Sequence, residues 1–267
     1  EVLVMTSANL SDEPIAFEDH EACRRLKAIA DAFLVHNRRI HTRTDDSIAR
    51  VMADRPLLLR RSRGFVPRAI ALPREAPSIL AVGAELKNTL CLTRGDRAFL
   101  SQHVGDLKNL DVYESFKQTI AHLQSILEVQ PEKIAHDLHP DYYSTRYALE
   151  ESGLEPVAVQ HHHAHLASCL AEHGIEKPAI GVIFDGIGYG DDGHIWGGEF
   201  LVGDLSHYER VGHFRYQSMP GGDLATKEPW RMALSYLLST YGEIPAGVNA
   251  FEGISDNALR LVGQATL

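Results

Sequence analysis

The sequence predicts a mixed-sheet α/β protein built in two unequal parts. Three observations carry that reading. "KIAHDLHP", "PVAVQHHH" and "AIGVIFDGIGYG" are short apolar runs ending in polar or Gly-rich groups, as strands that deliver loops do. The long stretch "DVYESFKQTIAHLQSILEV" instead repeats its apolar residues Val112, Phe116, Ile120, Leu123 and Leu127 at helical spacing. "SILAVGAELKNTLCLTRGDRAFLSQHVGDL" alternates strand and turn signals, which adds antiparallel pairing to the sheet.

In chain order, "VLVMTSAN" reads as a strand that hands over to a small polar loop. From Glu18, "EDHEACRRLKAIADAFLVH" places Ala22, Leu26, Ile29 and Phe33 on one face of a helix. "PLLLRRSRGFVP" reads as a strand followed by an Arg/Gly turn. "ALPREAPS", with Pro73 and Pro77 among charged residues, reads as a linker and divides the chain into residues 1–74 and 75–267. Beyond it the meander turns at Gly83 and again at Arg94-Gly95-Asp96. The helix and the three apolar strands follow, with a further helix starting near His161. "HIWGGEFLVGDL" and "YERVGHFRYQ" supply more antiparallel material, and Pro229 and Trp230 open another helix. The chain opens on Glu1 in mid-strand and closes on "LVGQATL" without a capping helix, which reads as an internal piece of a larger protein.

Composition narrows the function classes. With 44% hydrophobic and 23% charged residues the chain has an ordinary globular make-up, and no apolar run approaches the roughly 20 residues that span a membrane. Cys23, Cys91 and Cys169 are far apart and odd in number, which argues for reduced thiols in a cytoplasmic setting, each by default a small buried hydrophobe. The net charge of −10 is unevenly spread. Nine arginines face three aspartates between Arg38 and Arg68, a local balance of +6, so the remainder carries −16. Guanidinium forks match phosphate oxygens, so the basic segment suits a phosphate-bearing small molecule. The acidic remainder would repel a nucleic-acid backbone, and no nucleic acid is expected as a partner.

The candidate chemistry begins at "VQHHHAHLASCLAEHG". On a helix starting near His161, His161 and His165 stand one turn apart on a shared face, where two imidazoles can chelate one divalent ion. His162 and His163 rotate away, toward a second shell or solvent. Asp185 ends an apolar strand, where α/β sheets place ligand groups, and could complete a Zn²⁺ or Fe²⁺ set. The plainer readings are a His-rich helix start and an ordinary Asp-Gly turn. "AVGAELKNT" (Gly83, Lys87, Asn88, Thr89), "FDGIGYGDDG" (Gly186, Gly188) and "MPGGD" (Gly221, Gly222, Asp223) are strand-following turns whose backbone could cradle phosphate or let a flat nucleotide approach. None is a standard nucleotide fingerprint, and three tight turns explain them equally.

Several of these stretches also resemble a known family. "TSANLSDEPI", "DDSIAR" and "LLLRRSRGFVP" resemble the closing third of the threonylcarbamoyl-AMP synthase fold. "ILAVGAELKNTLCL", "SQHVGDL", "HDLHPDYYST", "VQHHHAHLASCLAEHG", "FDGIGYGDDGHIWGGEF" and "PGGDLATKEPWRMAL" resemble the transferase domain related to the tRNA threonylcarbamoyl transferases and, more distantly, to the actin-like/sugar-kinase superfold. The tandem resembles the HypF family of hydrogenase maturation carbamoyltransferases. The fold it implies is the end of a synthase-like α/β domain followed by an actin-like mixed-sheet domain, incomplete at its C-terminus.

The resemblance implies a relay. The first part forms carbamoyl-adenylate from carbamoyl phosphate and ATP with Mg²⁺, its nucleotide motifs falling on Thr6, Ser7, Asn9, Ser47, Arg60 and Ser62. The second passes the carbamoyl group to the C-terminal cysteine of HypE, a precursor of the cyanide ligands of [NiFe] hydrogenase. His161, His165 and Asp185 fall on the family's metal and catalytic positions, and Gly221, Gly222 and Asp223 on its nucleotide-contacting turn. The upstream acylphosphatase-like and zinc-finger portions, the start of the synthase domain, and a final metal-binding Asp are expected outside residues 1–267. The given piece is therefore expected to be inactive alone in the full reaction. The rival readings are a tRNA threonylcarbamoyl transferase, an ATP-binding kinase of the actin-like superfold, and a non-enzymatic metal-storage or scaffold module.

Overall fold

The computed structural model describes residues 2, 5–10 and 13–266. The N-terminal part is sparse in regular structure. Helix α1 spans Asp19–Arg25, and strands β1 (Ile48–Met52) and β2 (Arg55–Arg60) form an antiparallel hairpin. The helix is shorter than its pattern predicts. Of the expected face Leu26 is buried, but Ile29 is 64% exposed and Phe33 stands open, so nothing rewards continuing the helix past its first two turns. Of the strand expected at "VLVMTSAN", Leu3 and Val4 lie outside the described residues, and Met5–Asn9 carry no strand.

The segment expected as a linker is a strand. β3 (Ala69–Ala76) pairs with β5 (Cys91–Leu100) at Ala69–Ala71 and again at Ala76, skipping the residues around Pro73. Pro has no N–H to give a ladder, so it is tolerated here, on the edge of the sheet and inside an irregularity. The sheet runs β3-β5-β4-β6-β7, with β4 at Ile79–Ala81, β6 at Lys133–Asp137 and β7 at Glu155–Val159. β4, β6 and β7 are parallel and the β5 pairings antiparallel, the mixed sheet that the sequence predicts.

β5 doubles back on itself. The Ser101 N–H donates to the Leu90 carbonyl at 2.8 Å, so the residues flanking β5 are neighbours, whereas a straight ten-residue strand would hold its ends roughly 30 Å apart. The reversal falls at Gly95, whose φ is +59°, inside the expected Arg94-Gly95-Asp96 turn.

Helix α2 (Leu110–Leu127) covers this sheet. Asn109 caps it, its side-chain oxygen accepting the Asp111 N–H at 2.9 Å. The five predicted apolar positions are all buried, against Leu80, Val82, Leu90, Leu92 and Ile134. Helix α3 (Tyr143–Arg146) runs into a π-helical turn over Tyr147–Glu151 that no sequence signal announces.

Helix α4 (His161–Glu172) starts where predicted and packs Leu166 and Leu170 against Trp196 and Leu201 of a second sheet. That sheet has the order β10-β9-β8, from β8 (Ala179–Tyr189), β9 (Ile195–Gly203) and β10 (Tyr208–His213), all antiparallel. The short α5 (Leu224–Lys227), α6 (Trp230–Tyr241) and α7 (Asp256–Gln264) form the last layer, around Leu234, Phe251 and Val262. The expected close without a helix is thus corrected by α7, whose N-terminus Ser255 caps. Two of the three cysteines also depart from expectation. Cys23 and Cys169 are exposed, and only Cys91 is partly buried, its thiol pushed up to about 11 by desolvation. Among the described residues no helix is long and apolar enough to cross a membrane.

Candidate metal centre and adjoining cleft

Three elements converge at one point. The carboxyl end of β6 presents Asp137, the first two turns of α4 present His161 and His165, and β8 presents Asp185. His161, His165 and Asp185 each offer one ligand atom within 4.8 Å of the others. His161 Nε2 lies 2.8 Å and His165 Nε2 3.3 Å from the same Asp185 oxygen, and the two rings stand 4.9 Å apart as residues one helical turn apart should.

Asp137, which no sequence signal singles out, ends β6 at "HDLHP", whereas Asp185, expected at a strand end, lies inside β8 at the break in its register between Phe184 and Gly188. One Asp137 oxygen takes the His161 Nδ1–H at 2.6 Å and the other the His139 N–H at 2.8 Å. A carboxylate holding the far nitrogen of an imidazole fixes the ring and leaves the near nitrogen aimed at an ion, as around metal-ligating histidines. In the metal-free cluster the His161 ring is bonded on both sides, first to Asp137 and then to Asp185, and this raises its pKa to about 9. Asp185 is held far below the usual carboxylate range by His161 and then His165. The imidazolium proton thus supplies the positive charge that a divalent ion would bring, so the residues fit the cation.

His162 and His163 do rotate away, but not to solvent. His162 is fully buried, 5.9 Å from the Trp196 ring, and desolvation lowers its pKa to about 4. The Gln160 amide lies 3.4 Å from its Nδ1, which assigns the proton to Nε2, a buried donor with no partner among the described residues. His163 Nε2–H donates to the Asp204 carbonyl at 3.0 Å. Gly188 is a packing requirement of this cluster: a Cβ there would come within 2.3 Å of His162 and 3.1 Å of His161. Gly186 meets no such contact and donates its N–H to Asp185 Oδ1 at 2.6 Å.

Asp185 also opens onto a cleft of about 630 Å³ between the second sheet and α5–α6, lined among others by Gly197, Gly198, Glu199, Tyr216 and Thr226. A polar network stiffens its wall. Arg210 donates to Glu199 at 2.6 Å and to Tyr216 at 2.8 Å, and lies 4.0 Å from the Trp196 ring centroid; Tyr216 in turn donates to Asp192 at 2.6 Å. Gly221 and Gly222 turn the chain at φ of +90° and +56°, and Asp223 follows, all exposed beside cleft-lining Met219 and Ala225.

The other candidates fall elsewhere. Asn88 is buried, its amide spent on the Val82 and Ala84 carbonyls, so it shapes the turn and offers no surface to a ligand. Gly83 is required there, since a Cβ would meet Thr89 O at 2.8 Å. Lys87 and Thr89 share a crevice of about 470 Å³ with Arg60 and His103, across the expected division between parts. Ser47 ties that region together, donating to the Arg63 carbonyl and accepting the Ser62 N–H, both at 2.9 Å. Ser62 is itself fully buried. Ser7 bonds Asn9, and with Thr6 these residues do not line the crevice.

Residues 74–172 match a family model described as the HypF Kae1-like domain, and residues 181–265 one described as the carbamoyltransferase Kae1-like domain, second subdomain. The chain belongs to the HypF family. Residues 1–62 match the Sua5/YciO/YrdC model, described as telomere recombination. The chain is 54% identical over 242 residues to carbamoyltransferase HypF2 of Cupriavidus necator, covering 88% of this chain and 30% of that protein. It is 47% identical over 235 residues to carbamoyltransferase HypF of Rhizobium leguminosarum bv. viciae, covering 88% and 31%. The crystal structure of full-length HypF in the phosphate- and nucleotide-bound form superposes with a TM-score of 0.89 at 42% identity, over 97% of this chain and 41% of that one. T. kodakarensis HypF superposes at 0.83, also at 42% identity, over 89% and 32%. The chain therefore spans about a third of the length of the curated HypF relatives it matches.

Proposed function

We propose that this chain carries the acyl-transfer centre of a HypF-type carbamoyltransferase. Residues 75–267 would transfer a carbamoyl group from carbamoyl-adenylate to a protein thiol, the C-terminal cysteine of HypE. Residues 1–74 would belong to the part that makes the adenylate from carbamoyl phosphate and ATP with Mg²⁺. The observation that carries the reading is the His161–His165–Asp185 cluster, braced by Asp137 and opening onto the cleft. His161, His165 and Asp185 would hold one Zn²⁺ or Fe²⁺, which when bound supplies Lewis-acid stabilisation of developing oxyanion charge. The protein's own part is to keep His161 in one tautomer through Asp137, and to present the cleft wall fixed by Arg210 and Glu199 to the adenylate.

Metal analysis of the four single His→Ala variants tests this. Loss of metal from His161→Ala and His165→Ala with retention in His162→Ala and His163→Ala is expected; full occupancy in the first two, or loss only in His162→Ala, would sink the assignment. Carbamoyl transfer to a peptide ending in cysteine, and none to tRNA, is the expected acceptor result, because the acidic second part disfavours a polyanion.

A further inference from the structure

We infer that Arg215 anchors a negatively charged group of the molecule bound in the cleft beside Asp185, either the phosphate of an adenylate or the C-terminal carboxylate of a peptide acceptor. The inference rests on the proposed carbamoyl transfer and names how its cleft recognises what it holds.

Arg215 lines the same cleft as Asp185, Gly197 and Glu199. Its backbone is pinned on both sides. The Phe214 N–H donates to the Gly198 carbonyl at 2.9 Å, and the Phe214 ring stacks on Phe184 at 5.3 Å. A Cβ on Gly198 would come within 2.4 Å of that ring, so the close seating of Phe214 requires glycine there. On the other side the Tyr216 hydroxyl is held by Asp192 and Arg210. The Arg215 side chain between them is exposed and makes no hydrogen bond or ion pair among the described residues.

Of the other charged groups at the cleft, Glu199 is paired with Arg210 at 2.6 Å, Asp185 is bonded to His161, and Arg231 near the Gly221 turn is paired with Glu228. Arg215 is the guanidinium that lines the cleft itself, next to a backbone hydrogen bond that fixes Phe214, and its planar fork can take phosphate or carboxylate oxygens.

Isothermal titration of the metal-loaded chain and its R215A variant with four probes decides the matter. The probes are AMP, adenosine, a short peptide ending in a cysteine with a free carboxylate, and the same peptide amidated. Loss of a charge-assisted bond should weaken the anchored anion roughly 10- to 100-fold and leave its neutral counterpart within about twofold. A drop for AMP alone assigns the phosphate, and a drop for the acid peptide alone assigns the carboxylate. R215K should recover part of the loss. Equal affinities of wild type and R215A for both anions overturn the inference and leave the transfer reading standing. Failure of the wild-type chain to bind any of the four overturns both.

Discussion

Residues 1–68 and residues 77–172 are built on different principles. In the second stretch a sheet is sealed by α2, and Phe116, Leu90, Leu92 and Ile134 have no exposed surface at all. In the first, Ala16 and Leu26 are the buried apolar side chains among the described residues, while Val51 and Leu59 of the β1–β2 hairpin lie open. Its contacts are mostly polar: Arg25 reaches Glu13 and Glu21, Arg39 reaches Glu18, and Arg60 and Arg63 stand near Asp45 and Asp46. The exposed ones among them, Arg39–Glu18 and Arg63–Asp46, stabilise by about 1 kcal/mol or less each. The chemistry follows the packing. The residues of the metal cluster hang from β6, α4 and β8, elements anchored in cores, so the structure brings them within bonding distance. Those expected to form the first nucleotide pocket lie on lightly packed segments and do not share one crevice.

The sharpest way to break that contrast is to cut each region once. Phe116→Ala should cost about 3–5 kcal/mol in urea unfolding, because it leaves a cavity between α2 and the sheet. Val51→Ala, at 73% exposure, should stay within about 0.5 kcal/mol. Similar losses at the two sites would mean that the N-terminal part has a core this structure does not show.

Gly188→Ala should come next, at about 1–3 kcal/mol, since its Cβ would collide with His162 and crowd His161. The same variant should bind less metal by elemental analysis, linking a packing defect to the centre.

Asp137→Asn sharpens the comparison further. The ring of His161 keeps its neighbours but loses the carboxylate that orients it, and metal affinity should fall about 10- to 100-fold while the chain stays folded. An unchanged affinity would reduce Asp137 to a loop-tying residue for His139.

The smallest expected effect is in protons. In the metal-free chain His161 is raised from 6.5 to about 9, so its stabilising bonds are fully present below pH 6.5 and fade as pH rises through 9. The melting temperature of metal-free protein should decline across that window, and the decline should vanish in His161→Ala. Metal needs the unprotonated Nε2, so loading at pH 7 should release about one proton and apparent affinity should rise toward pH 9.

The sequence by itself determined whatever depends on local pattern. The five apolar positions of α2, the start of α4 at His161, the strands β6 and β7, and the pairing of His161 with His165 all follow from periodicity over a few residues, whereas β8 runs past the strand end expected at Asp185 as far as Tyr189. Tertiary structure decided what depends on neighbours from elsewhere in the chain. "ALPREAPS" has linker composition, yet β5 offers it an edge to pair with. The pattern after Arg25 is helical, yet no partner surface covers Ile29, and burial rather than propensity sustains a short helix. Asp137 gained its role only when β6 lay beside β7 and brought its carboxylate to within 2.6 Å of His161, a contact across 24 residues that no spacing rule encodes.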